Sequence, residues 1–291
     1  MPLLLDGKKA RDFHKAKLAE RVTAFERKRH IKPCLAIIQI GDNPESSIYI
    51  EQKKKFAAAI GVSVEHVRFS EDASQDGVLE EIVALNADKK IHGIIVQLPV
   101  PAHINKLALI NAIDPKKDVD GLTDENQKLL EQGNPRFIPA TAKGVMMLLD
   151  FYNISVRGKN AAVFGRSRLV GGPIASLFQS RGARVSVIHS QTAEPQRISR
   201  EADIVAVAIG KPSYVTKDFI KKSAIVVDVG INSVAGAKSE EGIPKRSLAG
   251  DVDFAAVSDI VSVISPVPGG VGPMTVLALF DNLMVSAEKP E

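Results

Sequence analysis

The sequence is poor in the residues that build several kinds of site. Cys34 is the single cysteine among 291 residues, so neither an intramolecular disulfide nor a metal site of several thiolates can form, and we expect no metal. Because Cys34 opens the apolar run Cys34–Ile40, we interpret it as a structural thiol rather than a nucleophile. Tryptophan is absent and aromatic residues make up 5% of the chain, so the basic clusters have no interleaved aromatics of the kind that stack on nucleic acid.

Long apolar runs and blocks of one charge are missing as well. No stretch reaches the roughly 18 apolar residues that a membrane helix needs, and residues 1–9 lack the charged-then-apolar order of a signal peptide. The net charge is +4, yet the basic clusters at 26–30 and 53–55 lie on helix-like segments among acids, which is typical of solvated helix faces. We therefore expect a soluble, cytoplasmic protein that binds neither membranes nor nucleic acid.

Apolar runs and helix-like segments alternate along the chain. Strands are predicted in one series at Cys34–Ile40, Ser63–Phe69 and 91–98, and in a second at 160–165, 183–188, 203–209, 224–229 and 260–264. Helices are predicted at Pro44–Ile60, 74–87, 141–152 and 272–287. Because the strands are continuously apolar, they are predicted to be parallel and buried on both faces. The pattern indicates an α/β protein of two domains with a boundary near residue 140.

The second half contains a turn suited to phosphate binding. The strand at 160–165 runs into the glycine-containing segment 165–172 and then into a helix-like stretch. Gly165 permits a sharp turn and Gly171 permits close packing of helix on strand, while the first amides of the helix can face a pyrophosphate. Ser167 and Arg166 add a hydroxyl and a cation, although Ser167 stands where the standard motif has its second glycine. An ordinary strand-to-helix turn is the alternative.

The end of the next strand bears on the choice of dinucleotide. An NAD-specific site usually carries an acid there to bind the ribose 2′-hydroxyl. Residues 188–192 contain no acid, and with Arg166 and Arg168 nearby this favours NADP, with NAD as the alternative. His189 is either part of this site or a plain strand-end residue. The turns at 208–212 and 228–232 are either the rim of a cofactor crevice or routine strand-ending turns.

Four polar residues of the first half are candidates for chemistry. On a helix, Tyr49 and Lys53 project from one face, a spacing that by itself is more typical of a solvated pair. Gln97 closes an apolar strand at its carboxyl end, where open α/β sheets bind ligands. Asp120 is either a turn acid held by local backbone amides or a pair of acceptors for the donor-rich edge of a heterocycle.

Taken together, these segments closely resemble one family, the bifunctional methylenetetrahydrofolate dehydrogenase and methenyltetrahydrofolate cyclohydrolase enzymes, nearly from end to end. The residues that carry the resemblance are Tyr-Ile-Glu-Gln-Lys (49–53), Gly-Ile-Ile-Val-Gln-Leu-Pro (93–99), Asp-Val-Asp-Gly (118–121), Gly-Arg-Ser (165–167), Asp-Val-Gly-Ile-Asn (228–232), Gly-Asp-Val-Asp (250–253) and Pro-Val-Pro-Gly-Gly-Val-Gly-Pro-Met-Thr (266–275). The last run is the most specific of these.

The resemblance implies an N-terminal α/β folate-binding catalytic domain, residues 1–140 with a helix that returns at 276–291. It also implies a C-terminal Rossmann-type dinucleotide-binding domain with a parallel sheet, residues 141–275, and a cleft between the two. The implied activities belong to one-carbon metabolism. They are NADP-dependent oxidation of 5,10-methylenetetrahydrofolate to 5,10-methenyltetrahydrofolate and hydrolysis of that product to 10-formyltetrahydrofolate. A homodimer that acts on tetrahydrofolate derivatives is expected.

The resemblance also implies residue roles. Lys53 is the catalytic residue of the cyclohydrolase step, Gln97 orients it, Tyr49 positions the folate and Asp120 binds the pterin. Burial and a cationic intermediate are expected to lower the pKa of Lys53. Further folate contacts are implied for Gly270, Pro273 and Thr275, where Gly269, Gly270 and Gly272 would let backbone approach folate and nicotinamide. Cofactor contacts are implied for Gly165, Arg166, Ser167, Arg168, His189, Ser190, Gly210 and Ile231.

Two positions depart from the family pattern. Ala140 and Ala142 flank Thr141 where the family usually has Cys and Pro, and we expect altered packing there with the activity kept. Gln191 stands where members that grip a 2′-phosphate often place a basic residue. Two rival functions share the architecture: a dehydrogenase of an amino-acid or shikimate-like substrate, and a non-catalytic nucleotide-binding module.

Overall fold

The computed structural model describes residues 1–238 and 244–289, which form two compact units. The six-stranded unit comprises Met1–Arg11 and Thr141–Thr275, and the three-stranded unit comprises Asp12–Ala140 and Val276–Glu291. Each is named here after its main sheet. The chain therefore contributes two separate segments to each unit.

The predicted strands and helices all overlap elements of the structure. In chain order the strands are β1 (Leu3–Leu4), β2 (Cys34–Ile40), β3 (Ser63–Phe69), β4 (Gly93–Val96), β5 (Asn160–Phe164), β6 (Arg184–Ile188), β7 (Ile204–Val207), β8 (Ile225–Asp228), β9 (Asn232–Lys238), β10 (Pro244–Ala249) and β11 (Val263–Ile264). The helices are α1 (Gly7–Arg29), α2 (Pro44–Ile60), α3 (Gln75–Ala87), α4 (Lys106–Ala112), α5 (Asp124–Glu131), α6 (Ala140–Phe151), α7 (Gly171–Ser180), α8 (Pro195–Arg200), α9 (Phe254–Ser258) and α10 (Val271–Glu288). Several strands end earlier than predicted because their last apolar residues belong to turns.

The three-stranded unit is built on a parallel sheet of order β3-β2-β4. Ile37 of the central strand β2 pairs with Ile95 of β4 and with His66 of β3. Strand β3 is only partly buried, in keeping with its polar residues at the sheet edge. One core cluster joins β2 and β4 to α3 and α4, so the continuously apolar runs are the ones packed between other elements.

Helix α3 is closed by side chains at both ends. Ser74 Oγ accepts a hydrogen bond from the Gly77 amide at 3.2 Å, which caps the first turn. At the other end, Lys117 Nζ donates to the carbonyl oxygens of Leu85, Asn86 and Asp88 at 3.0, 2.8 and 2.7 Å. The ammonium group therefore satisfies carbonyls that the helix itself leaves without a partner.

Helix α10 contributes residues 276–288 to the core of the three-stranded unit. Phe280 packs on Phe56, with ring centroids 5.4 Å apart. Asn282 Nδ2 donates to the carbonyl oxygens of Val119 and Ile138 at 2.9 and 2.8 Å, and is buried. The unit's core is therefore completed by a segment distant in sequence from the rest.

The six-stranded unit is built on a fully parallel sheet of order β1-β11-β8-β7-β5-β6. Strand β5 lies between β6 and β7, so the strand order reverses beside β5. Crevices at such reversal points bind ligands in open α/β sheets. The structure thus has two α/β units, and the C-terminal one is built on a parallel sheet. The predicted fold class is confirmed.

The sequence patterns did not indicate helices α4, α5, α8 and α9 or most of α1, and they also missed two strand pairings. Strand β1 pairs with β11 at the edge of the six-stranded sheet. Strands β9 and β10 form an antiparallel hairpin in which Asn232 pairs with Ala249. Both hairpin strands carry polar residues without a continuous apolar run, so the patterns used for buried parallel strands did not detect them. No helix among the described residues is long and apolar enough to cross a membrane.

Candidate active site and cofactor site

Lys53 and Gln97 are in direct contact in the three-stranded unit. Helix α2 carries Lys53 one turn after Tyr49, and Gln97 follows the last residue of β4. Lys53 Nζ donates to Gln97 Oε1 at 2.6 Å. The Gln97 amide nitrogen donates to the Leu98 carbonyl at 2.8 Å, so the two ends of the side-chain amide have different partners. This orientation presents an acceptor, and not a donor, to the lysine.

The pKa values of Lys53 and Asp120 move in opposite directions. Both side chains are partly buried. Burial lowers the pKa of Lys53, while the negative charge of Asp120 acts against that shift. Burial raises the pKa of Asp120 to about 6, and the positive charge of Lys53 opposes the rise. Both groups are therefore easier to neutralise than in water, which suits a site for proton transfer.

Asp118, and not Asp120, performs the task of a turn acid. Its buried carboxylate accepts from the backbone amides of Gly121, Leu122 and Thr123 at 3.0, 3.1 and 2.8 Å. It also accepts from Asn126 Nδ2 at 2.8 Å. The backbone of Asp120 is thereby held while its own carboxylate makes no hydrogen bond to the described residues. Among the described residues the local backbone amides bind Asp118, as the turn-acid interpretation had expected of Asp120.

Tyr49 lies on the same face of α2 as Lys53 and is half-buried. The interpretation of these two residues as a solvated surface pair does not hold for Lys53, since its ammonium is bonded to Gln97 and is partly desolvated. Tyr49, Lys53, Gln97 and Asp120 all belong to the three-stranded unit.

The turn after β5 has the geometry expected of a phosphate-binding turn. Gly165 has φ +103°, and a Cβ there would overlap the Ala208 carbonyl oxygen. A Cβ on Gly171 would overlap the Gly165 carbonyl oxygen. Ser167 Oγ accepts from the amides of Val170 and Gly171 at 3.3 and 3.4 Å, which shapes the entry to α7. Both glycines are therefore required, and the N-terminus of α7 opens at the carboxyl end of β5.

The end of β6 lies beside this turn. Arg166 Nη2 donates to Gln191 Oε1 at 3.4 Å. His189 Nδ1 accepts from the Gln191 amide at 3.2 Å, and the His189 amide donates to Thr192 Oγ1 at 2.9 Å. Arg166, His189 and Gln191 are thus brought together, with Ser190 between the last two.

Two buried carboxylates organise the neighbouring strand ends, and sequence reasoning assigned neither of them a role. Asp228 accepts from the amides of Gly230, Asp251 and Val252 at 3.0, 3.0 and 2.9 Å. Asp251 in turn accepts from the amides of residues 209–211 and from Asn232. Burial raises the pKa of Asp228 to about 6. The signal was present in the Asp-Val-Gly and Gly-Asp-Val-Asp segments, where Asp228 stands two residues before Gly230 and Asp251 directly follows Gly250.

The run 266–275 packs closely against the start of α1. The Gly7 amide donates to the Gly269 carbonyl at 2.8 Å, and a Cβ on Gly7 would overlap the Gly270 carbonyl oxygen. Thr275 Oγ1 lies 3.5 Å from the Val271 carbonyl oxygen, in the first turn of α10. A Cβ on Gly272 would lie 3.6 Å from Ile231 Cδ1, so Ile231 is close to this run.

Two family models match the chain. The catalytic domain of tetrahydrofolate dehydrogenase/cyclohydrolase matches residues 5–120, and the NAD(P)-binding domain of the same enzymes matches residues 139–291. The chain belongs to this family. The predicted family, the two-domain α/β fold and an enzyme with both dehydrogenase and cyclohydrolase activities are confirmed. Membership of this family does not favour the rival interpretation of the chain as a dehydrogenase of an amino-acid or shikimate-like substrate.

Relatives match the chain over nearly its whole length. A bifunctional protein FolD from Streptococcus equi subsp. zooepidemicus is 42% identical over 287 residues, which cover 99% of this chain and 98% of the relative. The crystal structure of the bifunctional FolD methylenetetrahydrofolate dehydrogenase/cyclohydrolase from Campylobacter jejuni is 40% identical, with a TM-score of 0.92 over 99% of both chains. The FolD structure from Trypanosoma brucei, complexed with NADP cofactor and inhibitor, is 36% identical, with a TM-score of 0.92 over 99% of this chain and 97% of that one.

The two alanines that depart from the family pattern are both buried, Ala140 at 1% and Ala142 at 0% exposure. Helix α6 begins at Ala140, whose amide donates to the Asp120 carbonyl at 3.3 Å. The start of α6 is thereby tied to the segment that carries Asp120.

Proposed function

We propose that this chain oxidises 5,10-methylenetetrahydrofolate to 5,10-methenyltetrahydrofolate with NADP and then hydrolyses that product to 10-formyltetrahydrofolate. Family membership supports both activities. The observation that carries the site assignment is the 2.6 Å hydrogen bond from Lys53 to Gln97, with the charge of Asp120 acting on the same lysine. These are the groups that a proton-transfer step at a cationic carbon needs.

In the folate site, Asp120 binds the pterin and Tyr49 positions it. A carboxylate offers two acceptors to the donor-rich pterin edge. The assignment is supported by Asp118, which occupies the local turn amides and leaves the Asp120 carboxylate without a hydrogen-bond partner among the described residues. Further folate contacts are assigned to Gly270, Pro273 and Thr275.

In the cyclohydrolase step, Lys53 moves the protons. A water molecule adds to the methenyl carbon and gives one proton to the neutral Lys53 amine. The bond from that carbon to N5 then breaks, N5 takes a proton from Lys53, and the added hydroxyl loses its proton as the formyl C=O forms. Water and the methenyl cation thus become 10-formyltetrahydrofolate and one released proton. Gln97 favours this cycle because its oxygen accepts from Lys53 in either protonation state and so orients it.

The turn after β5 fits a dinucleotide. Gly165 and Gly171 leave backbone where side chains would stand, and the N-terminus of α7 offers amides and a favourable dipole to a pyrophosphate. The turn residues Gly165, Arg166, Ser167 and Arg168 are assigned to the phosphates of the dinucleotide. His189 and Ser190 are assigned to its 2′ end, and Gly210 and Ile231 to the rim. When bound, the cofactor accepts the hydride, so the dehydrogenase step needs mainly orientation from the protein. Arg166 supplies a cation for a 2′-phosphate, where Gln191 itself is neutral.

Replacing Lys53 with methionine tests the central assignment. The side chain keeps a similar length but loses its amine, so hydrolysis of methenyltetrahydrofolate should fall by at least about 100-fold, the lower end of what general acid–base catalysis contributes. Folate and NADPH binding should stay detectable by fluorescence titration. Loss of the absorbance of methenyltetrahydrofolate measures the hydrolysis.

The matched control is Lys54→Met, since Lys54 is the next residue of α2 and is paired with exposed Glu51. It should leave the hydrolysis rate unaltered. The parent protein is also assayed with methylenetetrahydrofolate and either NADP or NAD, with faster oxidation expected for NADP. No turnover with either cofactor would refute the proposed function, and a normal hydrolysis rate in the Lys53 variant would remove Lys53 from the mechanism.

Assembly, location and domain limits complete the proposal. The family resemblance supports a cytoplasmic location and a homodimer. Light scattering on the purified protein would test the homodimer. We also assign residues 1–140 and 276–291 to folate binding and residues 141–275 to the dinucleotide.

A further inference from the structure

Asp251 binds the ends of two separate segments of the six-stranded unit. Its fully buried carboxylate accepts from three consecutive backbone amides, those of Ile209, Gly210 and Lys211, at 2.7, 2.9 and 2.8 Å. It also accepts from Asn232 Nδ2 at 2.8 Å. Converging backbone amides of this kind form a concave anion site, and here the protein's own side chain occupies it.

The position of Asp251 is fixed from the opposite side by Asp228. The Asp228 carboxylate accepts from the backbone amides of Asp251 and Val252, so it holds the segment that carries Asp251. A Cβ on Gly230 would overlap the Asp251 carboxylate, and a Cβ on Gly250 would overlap the Asp228 carboxylate. Each carboxylate therefore packs directly against a glycine backbone, which leaves no space for a side chain at Gly230 or Gly250.

The segments tied together by Asp251 are the two that line the proposed cofactor rim. Gly210, with φ +66°, donates directly to Asp251, and Asn232 directly follows Ile231. We propose that Asp251 is a positioning residue for the dinucleotide, which sets the backbone of Gly210 and Ile231 in the conformation that binds the cofactor. This inference rests on the proposed function, which places Gly210 and Ile231 at the cofactor.

The physical basis is preorganisation. With the carboxylate present, the turn at 209–211 is already ordered before the cofactor arrives. With an amide in its place, one of the two acceptor atoms becomes a donor and faces the backbone N–H groups that it formerly bound. The turn then has to be ordered at the expense of cofactor affinity. Lys53, Gln97 and Asp120, the residues assigned to the hydrolysis, all belong to the other unit, so the loss of Asp251 should weaken dinucleotide binding and spare the hydrolysis.

The variant Asp251→Asn tests this role. Because hydrogen bonds to a charged group are lost, the dissociation constant of NADPH, measured by fluorescence titration, should rise by at least about tenfold. The KM for NADP should rise to a similar degree, while kcat at saturating NADP changes by less than about threefold. Hydrolysis of methenyltetrahydrofolate, assayed without a dinucleotide, should proceed at close to the parent rate.

Two further variants separate positioning from stability. Asp203 lies at the amino end of β7, where its carboxylate accepts from the Asn160 amide at 2.8 Å and pairs with Lys221. The variant Asp203→Asn should lower the thermal midpoint and leave the NADPH dissociation constant unchanged. Asn232→Ala removes one of the four bonds to Asp251, so NADPH binding should weaken to an intermediate degree.

Each outcome decides the matter. Parent-like NADPH binding by Asp251→Asn overturns the positioning role, as does equal weakening in Asp203→Asn. If Asp251→Asn does not fold, Asn232→Ala decides, and unchanged NADPH binding by it overturns the proposal. Failure of the parent protein to bind NADPH would instead refute the proposed function itself.

Discussion

Replacing Asp120 with asparagine should stabilise the protein at neutral pH. Burial raises the pKa of this carboxyl from its ordinary 3.8 to about 6, which means that the folded state disfavours the ionised form. At about 1.4 kcal/mol per pKa unit, keeping the carboxylate ionised at pH 8 costs about 3 kcal/mol of folding free energy. Asparagine has nearly the same shape and carries no charge, so this cost disappears in the variant.

The pH dependence follows from the sign of the shift. Because the folded-state pKa is raised, the folded protein binds the proton more tightly than the unfolded chain between about pH 4 and pH 6. The cost is therefore fully present above about pH 7 and fades as the pH falls towards the unfolded value. The stability advantage of Asp120→Asn should be about 3 kcal/mol at pH 8 and about 1 kcal/mol at pH 4.5.

Asp118→Asn is the matched control, two residues away. Its carboxylate accepts three backbone amides and a side-chain amide, so the substitution should destabilise the protein by about 2 kcal/mol or more. Urea denaturation followed by circular dichroism at the two pH values measures both variants. Destabilisation by Asp120→Asn at pH 8, to the extent seen for Asp118→Asn, would refute the reasoning and make Asp120 a structural acid.

Two other predictions follow from charged groups of the three-stranded unit. Lys117→Met should lower the free energy of unfolding by about 2 kcal/mol, because three carbonyls at the end of α3 lose a charged donor. Urea denaturation measures this loss. An unchanged urea midpoint would show that water replaces the ammonium group without loss of stability. The rate of hydrolysis should rise with pH to a plateau as Lys53 loses its proton, with an inflexion below the ordinary lysine value of 10.5. Since Asp120 raises the pKa of Lys53, Asp120→Asn should move that inflexion to lower pH, and a move to higher pH would contradict the assignment.

The sequence was most informative where burial is uniform. Strands such as β4 and β7 are continuously apolar because neighbours cover both faces, and that pattern alone placed them within a few residues. The hairpin of β9 and β10 was missed because its polar residues carry no such pattern. Strand β1, at two residues, is too short to show any period.

In the site, residue types were easier to predict than contacts. The resemblance pointed to Lys53 and Gln97, but only the structure shows that the Leu98 carbonyl binds the Gln97 amide nitrogen and turns its oxygen to the lysine. Similarly, Asp118 and Asp120 are equivalent in a local sequence pattern. Which of them binds the turn amides depends on the backbone path after residue 118, which spacing does not determine.

The core of the three-stranded unit has a consequence for synthesis of the protein. Phe280 and Asn282 complete that core, yet they follow the whole segment 141–275 in the chain. As the chain leaves the ribosome, Phe56 and the carbonyl of Val119 emerge long before their partners do. At about 5–20 residues per second, about 8 to 45 seconds of translation separate them. The three-stranded unit therefore cannot finish folding until residues 141–275 have been translated. During that interval its unfinished core exposes apolar surface of the kind that chaperones bind.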